Sequence, residues 1–127
     1  MTISHTISKG FSRTGETINR SATQSSGEEH NVDEAIPALS TDLAVAFAVV
    51  VAKIKSFYIT SDVACTVKTN STSSPGKTFT LAADQAIDWQ ADDPIAAASF
   101  FGADITVLYV TAVAAAALKI RCLCDPT

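Results

Sequence analysis

Three cysteines, two histidines and a group of aspartates are the residues in this 127-residue chain whose types could do chemistry. Cys122 and Cys124 are two positions apart, so on a strand both thiols point the same way, and with Cys65 they could offer three thiolates to a metal. Zinc sites use wider spacings and usually a fourth ligand, so these cysteines are expected to act as small hydrophobes of a reduced core. His5 and His30 have no cysteine or second histidine near them in the chain and read as ordinary residues of polar strands. Asp84, Asp88, Asp92 and Asp93 flank the only tryptophan, Trp89. Loop carboxylates can hold calcium and an indole can stack on a sugar ring. The spacing is not that of an EF-hand loop, however, and one tryptophan is a poor platform, so a solvated acidic loop with a core Trp89 is expected. Asn19 and Asn70 each open a glycosylation triplet, which matters only on a secretory route. The sequence contains no G-x-S-x-G, no G-x-G-x-x-G and no G-x-x-x-x-G-K. The expectation is a protein that is not an enzyme and uses no cofactor or metal.

The elements that would position these residues are strands. Val63, Cys65 and Val67 alternate with Ala64, Thr66 and Lys68, a two-residue period that puts one set on a core and the other toward water. Phe57, Tyr58 and Ile59 precede them across the turn-forming Thr60, Ser61 and Asp62, so Lys53–Asn70 predicts a hairpin. Leu118, Ile120, Cys122 and Cys124 alternate with Lys119 and Arg121, and with Asp104–Ala112 they predict a closing hairpin. Phe79 and Leu81 mark a short strand after the loop STSSPGK. The densest apolar run, Leu43–Ala52, predicts a strand with Val45, Phe47, Val49 and Val51 on one face and Ala44, Ala46, Ala48 and Val50 on the other. Apolar on both faces, it needs a second cover, and a partner subunit would supply one. Phe100 and Phe101, adjacent in an extended segment, would point to opposite sides. Val45, Phe47, Val49, Val51, Phe100 and Phe101 are therefore the candidate subunit or capsid interface.

Residues 1–40 are polar. Ile3, His5 and Ile7 lead through a turn at Thr14–Glu16 into Thr17–Ser25 as edge strands, and a strand through His30, Val32, Glu34 and Ile36 ends at Pro37. The whole reads as an all-β single domain, 1–127, an antiparallel β-sandwich resembling a jelly roll, with peripheral strands in 1–40 and core strands in 41–125.

Charged residues are 17% of the chain against 47% hydrophobic ones, so polar cover is thin for a small body. A net charge of −4 argues against a phosphate-backbone partner. The longest apolar run is half of what a membrane helix needs, and MTISHTISKG lacks the apolar stretch of a signal peptide. Neither a membrane span nor export is expected.

Where VACTVKTNSTSSPGKTFTL runs into AIDWQ, and where DITVLYVTA is followed by ALKIRCLCD, the chain resembles small virion proteins of tailed bacteriophages. In that group a strand ending VKTN is followed by a Ser-rich loop with Pro, a TL strand, a Trp-bearing segment, and a VTxLYVTNA strand leading to a final LKIRVL-D. This chain departs from the pattern at Ala112–Val113, where the group has an Asn-Gly turn, and at Cys122 and Cys124, where it has aliphatic residues. The resemblance covers Lys53–Asp125 and, loosely, NVDEAIPA. It implies a head decoration or cement protein, made in the host cytoplasm, that sits on the virion head, binds the major capsid protein and forms a homo-oligomer, commonly a trimer. A tail or fibre component and a carbohydrate-binding β-sandwich that would use Trp89 are the alternative readings.

Overall fold

The computed structural model describes residues 2–126. Its first two strands, β1 (Ile3–Arg13) and β2 (Glu16–Ser26), pair only with each other. Between them the chain reverses over Thr14 and Gly15. Gly15 adopts φ +84°, a conformation glycine takes without steric cost.

Eight further strands follow: β3 (Glu28–Ile36), β4 (Ser40–Val45), β5 (Ile54–Ser61), β6 (Cys65–Thr69), β7 (Thr78–Leu81), β8 (Ala86–Gln90), β9 (Leu108–Ala112) and β10 (Ala116–Cys124). They form two four-stranded antiparallel sheets, β3-β10-β5-β8 and β4-β9-β6-β7. Consecutive strands lie in opposite sheets except β6 and β7, which gives the sandwich the connectivity of a jelly roll. The all-β class and the sandwich follow from the two-residue periodicity. On β10, Leu118, Ile120, Cys122 and Cys124 are buried while Lys119 and Arg121 turn outward. On β7, Phe79 and Leu81 are buried between exposed threonines. Pro37, which has no N–H for a ladder, follows the last residue of β3.

Between the sheets the core is centred on aromatic rings. Phe57 stacks on Phe79 at 5.6 Å and meets Phe101 edge-on at 5.0 Å, and Phe101 in turn meets Trp89 at 5.6 Å and Phe100 at 4.7 Å. Such offset and edge-to-face contacts add to the gain from burying the rings. Phe100 and Phe101 come from a one-turn helix, α1 (Ala97–Phe101), rather than an extended segment, so both reach the same cluster.

Four expectations are corrected. Lys53–Asn70 is not a hairpin, because β5 and β6 belong to opposite sheets, and Asp62–Ala64 carry the chain across the sandwich. The turn residues stabilise that crossing: Ser61 Oγ bonds both N–H and C=O of Val63, and Asp62 Oδ1 accepts from the Ala117 amide. The closing pair β9 and β10 is likewise a crossing between sheets. Leu43–Ala52 is not one strand. It leaves β4 at Val45, makes a single bridge from Val49 to Ile105, and turns through a 3-10 segment at Val51–Lys53 to reach the other sheet. Finally, β3 is part of the sandwich, with Val32 and Ile36 in the core, so the peripheral portion ends near Gly27 rather than at residue 40.

Candidate interaction surfaces

The candidate interface residues are the first to be corrected. Val45, Phe47, Val49, Val51 and Phe101 are buried in the chain's own core, and Phe100 is half-buried beneath the Lys77 ammonium, 5.5 Å from its ring. A run apolar on both faces suggested two covers. One sheet covers the large residues, and the other face consists of Ala44, Ala46, Ala48 and Val50, which are exposed. Alanine has so little side chain that its exposure costs little.

The chemical candidates are equally spoken for. Cys122 and Cys124 lie with sulfurs 3.7 Å apart in the core. The contact with Cys124, together with burial, pushes the Cys122 thiol well above its usual range, so it stays protonated. Burial likewise raises Cys65, which sits in the other sheet. No group of three or more His, Cys, Asp or Glu side chains able to hold a metal occurs among the described residues. Trp89 is buried on β8 and donates its indole N–H to the Ile95 carbonyl at 2.8 Å, so no ring face is left for a sugar. Of the aspartates around it, Asp88 pairs with Lys9 at 3.0 Å. Asn70, at φ +70°, donates to the Asp104 carbonyl and accepts from the Thr106 amide and hydroxyl. It is a clamp between two loops.

What the sequence did not single out is the place of the N-terminal hairpin. It lies across the outer face of sheet β3-β10-β5-β8 and is held mainly by polar contacts. His5 bonds Glu29 on β3, Ser26 Oγ donates to Asp125, Gln90 on β8 donates to the Ala22 carbonyl, and Lys9 pairs with Asp88. The bond from His5 holds the Glu29 carboxyl below its ordinary range, the Ser26 hydroxyl does the same for Asp125, and Asp88 raises Lys9. Ile7 is the buried apolar contribution of β1. Beside β1 a cleft of about 600 Å³ opens over Ser56, Tyr58 and Arg121. The Ser56 hydroxyl is buried there without a partner, whereas Arg121 is committed to Asp33 at 2.9 Å and to two backbone carbonyls. Of the hydroxyls that line the cleft, Ser4 bonds Ser25 and Thr6 bonds Thr23, while the His5 Nε2 bonds Glu29.

The chain matches no family model, no curated protein and no solved structure.

One end of the sandwich remains apolar. Leu39, in the β3–β4 connection, is 79% exposed and Val113, in the β9–β10 connection, 78%; the Leu39 amide donates to the Val113 carbonyl at 2.9 Å. Leu39 sits at φ +60°, in the left-handed region that non-glycine residues enter at a cost on the order of 1–2 kcal/mol. No periodicity marks either residue, because both lie between strands. The signal that could have found them is the apolar character of two connections, PAL and VAA, where turn-forming polar residues are usual.

Proposed function

We propose that this protein is a non-enzymatic virion component of a tailed bacteriophage, a decoration or cement protein that binds the major capsid protein of the assembled head as a homotrimer. The observation that carries the reading is the apolar loop end. Two large side chains held almost fully in water, one of them in a strained backbone conformation, gain nothing for an isolated domain. Against a shell they bury apolar area, and repetition over many symmetric sites multiplies a weak contact. The strand pattern shared with phage virion proteins supports the same reading, as does a core that takes up the cysteines and the tryptophan. The protein would be made in the host cytoplasm and reside on the head surface, with neither nucleic acid nor membrane as its partner.

The test uses particles assembled without the protein. They should form, yet lose their genome at a lower temperature than complete particles, and wild-type protein added back should restore the difference. Leu39→Asn combined with Val113→Ser should fold normally and fail to restore it. Depleted particles as heat-stable as complete ones would overturn the cement role and favour a tail component.

A further inference from the structure

The cleft beside the N-terminal hairpin runs along a strand edge. Five consecutive residues of β1, Ser4 to Ser8, line it, and among the described residues none of β2 does, so it lies on the side of β1 that no strand pairs. The loop Thr14–Gly15 closes the hairpin with Arg13 and Glu16 as a hydrogen-bonded pair, and bonded and non-bonded pairs alternate from there. His5 and Ile7 therefore bond β2, whereas the N–H and C=O of Ser4, Thr6 and Ser8 point out of the ladder into the cleft. Its floor is the outer sheet face at Tyr58 and Arg121, with Ser56, whose hydroxyl is buried without a partner.

Strand edges are usually blunted against further pairing, and those of the sandwich are. β3 carries Glu28, Glu29, Asp33 and Glu34, β7 and β8 have only four and five residues, and the register of β4 shifts between Ser40 and Leu43. Ser4–Ser8 has no lysine, proline or carboxylate, and its register with β2 is unbroken. The charges beside the cleft are already paired, Arg121 with Asp33 and His5 with Glu29, so a charged ligand would find no free counter-ion. A two-stranded sheet is also marginal until a third strand joins it. We propose that the cleft takes an extended, uncharged peptide segment of a partner protein, which adds to β1 as a third strand, bonds the backbone of Ser4, Thr6 and Ser8, and turns a polar side chain toward the Ser56 hydroxyl. A second copy paired antiparallel through its own β1 would bring its sandwich into the space this one fills. The site goes beyond the shell contact at Leu39 and Val113 and does not depend on it.

Selection of random nine-residue displayed peptides on the full chain, counter-selected on Thr6→Pro, tests it. The Thr6 N–H points outward, so proline there removes a docking donor and spares the β1–β2 ladder. Synthetic copies of the selected peptides should be uncharged, bind the wild type and lose about tenfold or more in affinity on Thr6→Pro. Amide hydrogen exchange of the wild type gives a reading free of any variant. Ser4, Thr6 and Ser8 should exchange fast in the free chain while His5 and Ile7 are protected, and bound peptide should slow the first three. A selection that yields no peptide preferring the wild type, or peptides that bind without slowing those amides, overturns the proposal, as does protection of Ser4, Thr6 and Ser8 in the free chain. Self-association that Thr6→Pro abolishes would give the edge to a second copy and overturn the peptide assignment.

Discussion

The sandwich and the hairpin that lies on it are held by different forces. The eight-stranded body buries phenylalanines, Trp89 and branched aliphatic residues between two sheets, and its stability comes from apolar area and close packing. The hairpin has two strands, one buried apolar residue on β1, and attachments made of hydrogen bonds and partly exposed ion pairs. Such pairs are individually weak, and a two-stranded sheet is marginal by itself. The body should therefore unfold as one cooperative unit, while the hairpin opens at much lower free energy.

Breaking the body tests this most strongly. Phe101→Ala removes the ring shared by Phe57, Trp89 and Phe100 and should cost about 3–5 kcal/mol in urea unfolding. A loss below ~1 kcal/mol would mean the aromatic cluster is not the centre of the core. Gly102→Ala comes next. Gly102 has φ +81°, and a Cβ there would fall 2.3 Å from the Gly76 carbonyl oxygen, so left-handed strain and a backbone clash combine to about 3 kcal/mol. Gly102→Ala at wild-type stability would show that the two loops move apart without cost.

The hairpin should respond instead to pH. Glu29 and Asp125 titrate lower in the folded chain than unfolded, so what they add is present above the ordinary carboxylate pKa and lost as pH falls through their depressed values, below about pH 4. Lys9 is raised, so its part is present below the ordinary lysine pKa and lost only as pH rises through a value above that. Hydrogen exchange should show Ile7 and Ala22 amides losing protection on acidification before β5 and β10 do. Simultaneous loss in all three places would contradict the separation. The smallest effect is expected at the junction. Ser56→Ala removes a buried hydroxyl that has no partner and should leave stability unchanged or raise it by up to about 1 kcal/mol. A clear loss would mean that the hydroxyl is satisfied by a group in the cleft.

The same contrast explains what could be read from the sequence. Alternation on β6, β7 and β10 and the stop at Pro37 depend on local geometry and were legible. Which strands share a sheet was not, because Ser61 and Asp62 favour a reversal equally well within a sheet or between two. The helix carrying Phe100 and Phe101 is too short to show a 3.6-residue period. Val45 to Val51 were legible as buried, but composition does not say whether the cover is the same chain or another. The hairpin's place across the sheet was not legible either, because its contacts with Glu29, Asp88 and Gln90 join residues far apart in the chain.

The adjacency of β3 and β10 governs when this protein can fold. Val32 sits opposite Ile120, so the first strand of the sandwich waits on the ribosome for the last. Until β10 emerges, β5 lacks its central neighbour and β3 has no partner at all. The β1–β2 hairpin, closed by two residues, can form within roughly 1–10 μs, while the body must bring distant strands together and folds far more slowly. For most of synthesis the nascent chain would thus carry a hairpin that forms and opens readily beside an unfinished body, with Phe57, Ile59 and Val67 still uncovered. Occupancy by a chaperone that holds apolar strands should rise along the message and fall only once Cys124 has cleared the exit tunnel.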